Sequence, residues 1–260
     1  MSEKTTSFPS IKDIPASAWR KLSEKKIFFG HQSVGNNIID GIKDLMVEYP
    51  QIRLNILEIL NPLDFKVPSF AHYWVGGNTN PKSKIDAFAS FMEKGIGDEA
   101  DIAFFKLCYV DVTRRTDVIK VFGDYQNTMS LLKETFPKTL LAHVTVPLTC
   151  KEAGIKGWVR KGKNLIKKVS GKTVFNYFDN IKREQFNEMV RQEYDGKEPV
   201  FDLAKIESTF YDGKRSSFTK DGGAYYSLVS EYTDDGGHLN EKGRRIVAEQ
   251  LLILLANLSE

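Results

Sequence analysis

Near the start of the chain Gly30-His31-Gln32-Ser33-Val34-Gly35-Asn36-Asn37 follows an apolar run, and near its end Thr233-Asp234-Asp235-Gly236-Gly237-His238-Leu239-Asn240 precedes another. The first sequence places a hydroxyl at the opening turn of a helix, where unpaired backbone N–H groups carry partial positive charge and would stabilise an oxyanion. In the second, two glycines let the chain fold tightly enough for the Asp235 carboxylate to reach the His238 imidazole, fixing its tautomer and stabilising its protonated form. Taken singly, each has a plainer reading. Serine is a favoured helix N-cap, a glycine-rich turn before a helix also suits a phosphate group, and a loop histidine is commonly a surface or capping residue. Together Ser33, His238 and Asp235 supply the nucleophile, general base and orienting acid of acyl transfer.

The elements that must position these residues alternate along the chain. Lys25 to Gly30 reads as a buried strand, and Val34, Ile38, Ile42, Leu45 and Met46 then recur at helical spacing from Ser33 to Tyr49-Pro50. Arg53 to Leu60 reads as a strand closed by Asn61-Pro62, and residues 68–81 as a loop rich in aromatics and glycine, including Phe70, His72, Tyr73, Trp74, Gly76, Gly77 and Asn78. A helix from Ser83 to Lys94 leads to Ala100–Cys108, an apolar run expected for a strand buried on both faces. A helix from Val118 to Phe136, a strand from Lys138 to Val146, a helix from Phe178 to Tyr194 and a strand from Pro199 to Leu203 follow. After a Gly/Ser-rich loop the chain ends in a helix from Asn240 to Leu258. This alternation predicts an α/β fold: a doubly wound, mostly parallel sheet with helices on both faces, a three-layer α/β/α sandwich. Ligands of such sheets bind beyond the carboxyl ends of the strands, where Ser33 would stand.

Length and composition fit one soluble globular domain spanning 1–260. The formal net charge of +3 is too small to imply nucleic-acid binding over the whole surface. The positive charge is local. Lys156, Arg160, Lys161, Lys163, Lys167, Lys168 and Lys172 fall in a stretch, Ala153 to Phe175, that has no acidic residue and reads as an insertion at about 151–175. It would suit an acidic polysaccharide or an anionic membrane surface, or form a solvated amphipathic helix. Cys108 and Cys150 cannot build a metal cage, but they end two strands expected to be neighbours, which makes a disulfide between them an expectation to test. His72 and His143 lack zinc spacing, and His143 inside an apolar strand reads as core. No metal is expected. The run Ile246–Ala256, broken by Glu249 and Gln250, is too short and amphipathic for a membrane span. Met1–Ser10 lacks the apolar segment of a signal peptide, so the sequence as it stands reads as cytoplasmic, with export left open.

With these residues in hand, the chain resembles the SGNH/GDSL-like hydrolase superfamily, which is recognised by four blocks in order. Phe29-Gly30-His31-Gln32-Ser33 is similar to the first block, with Gln32 in place of the usual aspartate and His31 as an extra residue. Asp235 and His238 match the last block, Asp-x-x-His, and Leu239-Asn240 and Gly243 continue as the family does. The second block, whose glycine donates a backbone N–H, would correspond to Gly76-Gly77-Asn78. The third block departs: Leu107-Cys108-Tyr109-Val110-Asp111 has no asparagine to donate to an oxyanion, and Asn78 or Lys106 are the candidate replacements. Gly77, His31 and Tyr109 complete the expected oxyanion and substrate-binding set.

The resemblance implies a flavodoxin-like fold and a carboxylic ester hydrolase that needs no cofactor. Its substrates would carry small ester groups, such as O-acetyl groups of carbohydrates, and Tyr73 and Trp74 beside the second block would suit a sugar ring. The partner expected is therefore a small-molecule or carbohydrate ester, not a nucleic acid. Transfer to a sugar hydroxyl in place of water would use the same residues. A glycan-binding module of the same fold without catalysis is the alternative, motivated by the missing third-block asparagine.

Overall fold

The computed structural model describes residues 8–151 and 176–260. The expected basic insertion lies, beyond Lys151, outside the described residues. A central parallel strand must present apolar side chains at both parities, and β1 (Lys26–His31) does so with Ile27, Phe28 and Phe29 all buried. Around it β2 (Ile56–Glu58), β3 (Ser69–Trp74), β4 (Ile102–Phe105), β5 (Leu140–Val144) and β6 (Val200–Phe201) form a six-stranded parallel sheet in the order β2-β3-β1-β4-β5-β6. Phe29 of β1 stands opposite His72 of β3 on one side and Phe104 of β4 on the other. The winding direction reverses at β1, so a crevice opens beyond its carboxyl end.

One face of the sheet, bearing Ile27, Phe29, Phe70 and Phe104, is covered by α1 (Ala16–Ser23), α2 (Val34–Glu48) and α7 (Glu241–Leu258). The opposite face, bearing Phe28, Ala71, Ala103 and Phe105, is covered by α3 (Pro81–Phe91), α4 (Val118–Thr135) and α5 (Tyr177–Tyr194). A short α6 (Leu203–Glu207) and an antiparallel hairpin of β7 (Ser217–Lys220) and β8 (Gly223–Tyr226) complete these elements.

Where the structure differs from the expectation, the reasons are local. The loop expected over 68–81 contains β3, an inner strand buried on both faces; it has no apolar alternation, and Pro68 and Gly76-Gly77 flank it as turn formers. The strand expected over 53–60 shortens to Ile56–Glu58, an edge strand paired only with β3. The Gly/Ser-rich loop holds the β7–β8 hairpin, turned by Asp221 and Gly222 with φ of 50° and 79°, the left-handed pair that an Asp-Gly turn supplies.

The contact between α2 and α7 brings the Ser33 and His238 segments to the same end of the sheet. Gly41 on α2 is so close to α7 that a Cβ there would lie 2.5 Å from the Arg244 carbonyl oxygen and 2.8 Å from Ala248 Cβ. Arg244 and Asp44 pair across the seam at 2.8 Å, and Arg245 pairs with Glu48. Since α2 begins just after Ser33 and α7 just after His238, this close approach draws the two candidate segments together. The Leu239 N–H donates to Asn37 Oδ1 at 3.2 Å and fixes the same junction.

Candidate active site

Ser33 joins β1 to α2 with φ 32° and ψ −86°, a left-handed φ that costs a non-glycine residue about 1–3 kcal/mol. The turn is held by the Gly35 N–H on the Gln32 carbonyl and the Asn36 N–H on the Ser33 carbonyl, both at 2.8 Å. Gly35 sits against the His31 ring so tightly that a Cβ would meet it at 2.4 Å. Although Ser33 occupies the N-cap position, its side chain makes no capping hydrogen bond, so the plain capping reading does not account for it. Its Oγ instead lies 3.9 Å from Cys108 Sγ in the loop after β4.

At the other end of the crevice His238 Nδ1 and Asp235 Oδ2 are 2.6 Å apart. Asp235 Oδ1 accepts the backbone N–H groups of Gly237 at 2.9 Å and His238 at 2.8 Å, a turn that Gly236 permits with φ 95°. Partial burial pushes the Asp235 carboxyl up, but the His238 ring and these two N–H groups outweigh it and hold it well below the usual carboxylate range. Asp235 therefore stays ionised beside the His238 ring. The loop is secured from behind by the Cys150 N–H on the Gly236 carbonyl at 2.8 Å. His238 Nε2 rests 3.5 Å from the Tyr109 hydroxyl, and among the described residues no hydrogen bond joins it to Ser33 Oγ. Such nucleophile–base bonds are often long without substrate and tighten when it binds.

The second-block loop is bound to the elbow through Gln32. Its Nε2 donates to the Val75 carbonyl at 3.1 Å and to the Gly76 carbonyl. Gly76, with φ 55°, packs on the start of α3, where a Cβ would lie 2.6 Å from the Lys84 nitrogen. The Gly77 N–H, expected as an oxyanion donor, donates to Ser83 Oγ at 2.9 Å. Asn78 is exposed, and its Oδ1 accepts from Lys84 Nζ at 2.9 Å.

Other expected site residues are placed differently. His31 is fully buried on the α2 side of the sheet, its Nε2 3.1 Å from His72 Nδ1 and its ring on Phe29, and burial pushes its pKa down to about 2. It lines no substrate surface. Lys106 is also fully buried, with Nζ 3.4 Å from both the Leu107 carbonyl and Cys108 Sγ. It lies beneath the site, behind Cys108. Tyr73 stacks on Phe91 of α3 at 4.0 Å, whereas Trp74 remains 45% exposed at the end of β3. Cys108 and Cys150 are both buried and form no disulfide with each other, so the expected bond is corrected: Cys108 faces Lys106 and the turn at Ser33.

Two residues the sequence reading did not single out as functional hold the third-block turn. Asp111 is buried; its Oδ2 accepts the Cys108 N–H at 2.6 Å and Lys84 Nζ at 2.5 Å, and its Oδ1 accepts the Thr79 N–H at 2.8 Å. Lys84 and Asp111 side chains are both 0% exposed. A lysine on the same helix face as the buried Ile85 and Phe88 was the available signal.

Below the crevice Glu207 of α6 is fully buried. Its Oε1 accepts the Leu148 N–H, and its Oε2 has no partner among the described residues. Burial pushes its carboxyl up to about 8, against the lowering influence of Leu148, Lys106 and Arg183. Between its ordinary 4.5 and about 8 the folded chain keeps a proton that the unfolded chain has lost, so folding stability falls as pH rises through that window. Glu207→Gln is expected to abolish this component. Melting temperatures of parent and variant should diverge between pH 5 and 8, the parent dropping relative to Gln, with each kcal/mol worth roughly 2–4 °C in a chain of this size.

No family model matches the chain, and no curated protein does. Solved structures do. A candidate GDSL-like lipase from Parabacteroides merdae matches with a TM-score of 0.55 and 10% identity over 91% of this chain and 97% of that one. A candidate platelet activating factor from Streptococcus pneumonia matches with a TM-score of 0.50 and 14% identity over 92% and 90%. The periplasmic domain of a lipopolysaccharide acetyltransferase from Salmonella ser. Paratyphi A matches with a TM-score of 0.50 and 11% identity over 88% and 83%. With its six-stranded parallel sheet between two helical layers and its winding reversal at β1, the chain has the fold of the SGNH/GDSL-like hydrolases.

Proposed function

We propose that this protein is a serine acylhydrolase in which Ser33 is the nucleophile, His238 the general base and Asp235 the residue that orients and charges the imidazole. The observation that carries this reading is the 2.6 Å Asp235–His238 pair facing a crevice where a strained, non-capping serine follows the central strand. Ser33 Oγ attacks the ester carbonyl as His238 Nε2 takes its proton; the alcohol leaves with that proton, and water repeats the sequence on the acyl-enzyme. Tyr109 must yield its place on Nε2 for the first transfer. An exposed Trp74 beside the crevice favours a small ester on a sugar, such as an O-acetyl group, since an aromatic face suits a sugar ring.

A glycan-binding module without catalysis is the second reading. The resting of His238 on Tyr109 and the absent third-block asparagine favour it. Hydrolysis of 4-nitrophenyl acetate separates the two. The acylhydrolase reading expects turnover that falls by about 10⁴-fold or more in Ser33→Ala and His238→Ala. Equal rates in parent and Ser33→Ala would contradict it.

A further inference from the structure

The loop after β3 carries the one expected side-chain oxyanion donor that is exposed, Asn78. The third-block asparagine is missing, the Gly77 N–H is taken by Ser83 Oγ, and Lys106 is sealed beneath Cys108. Asn78 is exposed, and its amide orientation is fixed: a lysine ammonium can only donate, so the oxygen must face Lys84 and the NH₂ must face away. Lys84 is held in turn by Asp111 at 2.5 Å. Gly76, two residues before Asn78, and Thr79, immediately after it, are anchored to residues around Ser33. Gly76 is held by Gln32, next to Ser33, and Thr79 by Asp111, which also holds Cys108, whose sulfur is 3.9 Å from Ser33 Oγ.

A buried ion pair is a poor stabiliser, because desolvating both charges offsets most of their attraction. Its position here suits another purpose. The Lys84 charge also polarises the Asn78 amide, making its N–H groups better donors to a developing negative charge.

Resting on the acylhydrolase reading above, we propose that Asn78 Nδ2 donates to the oxyanion in place of the third-block asparagine, and that the buried Lys84–Asp111 pair is the positioning device that aims it. Asn78 is a catalytic residue in this account; Lys84 and Asp111 act through it.

The test is a double-mutant cycle on 4-nitrophenyl acetate hydrolysis, using parent, Asn78→Ala, Lys84→Met and the double variant. Asn78→Ala, at an exposed position, should fold normally, lower kcat on the order of 100-fold and leave KM within about threefold. Lys84→Met should lower kcat to a similar extent alone and add little once Asn78 is gone, since a positioning residue has nothing left to position. Inhibition by a methylboronic acid, a tetrahedral mimic, should weaken in parallel with kcat/KM, while inhibition by acetate should not. Melting curves identify any variant that has lost its fold, and Asp111→Asn serves as the second test of the pair if Lys84→Met does not fold. Parental kcat in Asn78→Ala, or losses that multiply in the double variant, would overturn the proposal. A parent protein that neither hydrolyses the ester nor is acylated at Ser33 would overturn the acylhydrolase reading, and this proposal with it.

Discussion

Asp235→Asn is expected to lower kcat by about 10⁴-fold while the protein remains folded. Asp235 accepts from four groups at once: the His238 ring, the backbone N–H groups of Gly237 and His238, and the Thr233 hydroxyl at 3.3 Å. An asparagine oxygen can still accept the two backbone N–H groups, so the tight turn at Gly236 survives. The Nδ2 that replaces Oδ2 is a donor, however. It would favour the tautomer with the proton on Nε2, the nitrogen that must be free to deprotonate Ser33. The loss would appear in kcat and kcat/KM together, as for an interaction made in the transition state. A circular dichroism spectrum and melting temperature close to the parent's would accompany it.

Gln32→Glu is expected to cost about 3 kcal/mol of stability at neutral pH and to reduce activity with it. Gln32 is buried, and its NH₂ faces two carbonyl oxygens, those of Val75 and Gly76. A carboxylate of the same shape would set negative charge against both and leave them without a donor. Protonation supplies one donor, so the variant should regain stability as the pH is lowered. Urea unfolding at pH 5 and pH 8 measures this directly, and equal losses at the two values would count against the explanation. The same geometry accounts for the departure from the resembled family's first block: at this position the loop needs a donor, which aspartate lacks when ionised.

The parts of this arrangement legible in the sequence were those whose signals are local. Helical spacing after Ser33, the glycines between Asp235 and His238, and the alternation of strand and helix are all short-range patterns. β3 was not legible, because an inner strand of His, Tyr and Trp between Pro68 and Gly76 has neither apolar alternation nor an unbroken aliphatic run. The Asp111 hub was not legible either. Its partners Thr79, Lys84 and Cys108 are 32, 27 and 3 residues away, and only the packing of α3 against the sheet brings them to one carboxylate. His31 looks like a site residue from its place two positions before Ser33, yet as the last residue of β1 it is fully buried against Phe29, and it is the turn at Ser33, with φ 32°, that carries the chain out of the core.

Reaction with a fluorophosphonate probe, with the modified peptide located by mass spectrometry, reads out directly whether Ser33 is an activated nucleophile. Stoichiometric labelling of the folded protein at Ser33 is expected, slowed strongly in His238→Ala and absent in Ser33→Ala. A folded protein that stays unlabelled, or that is labelled at another residue, would contradict it.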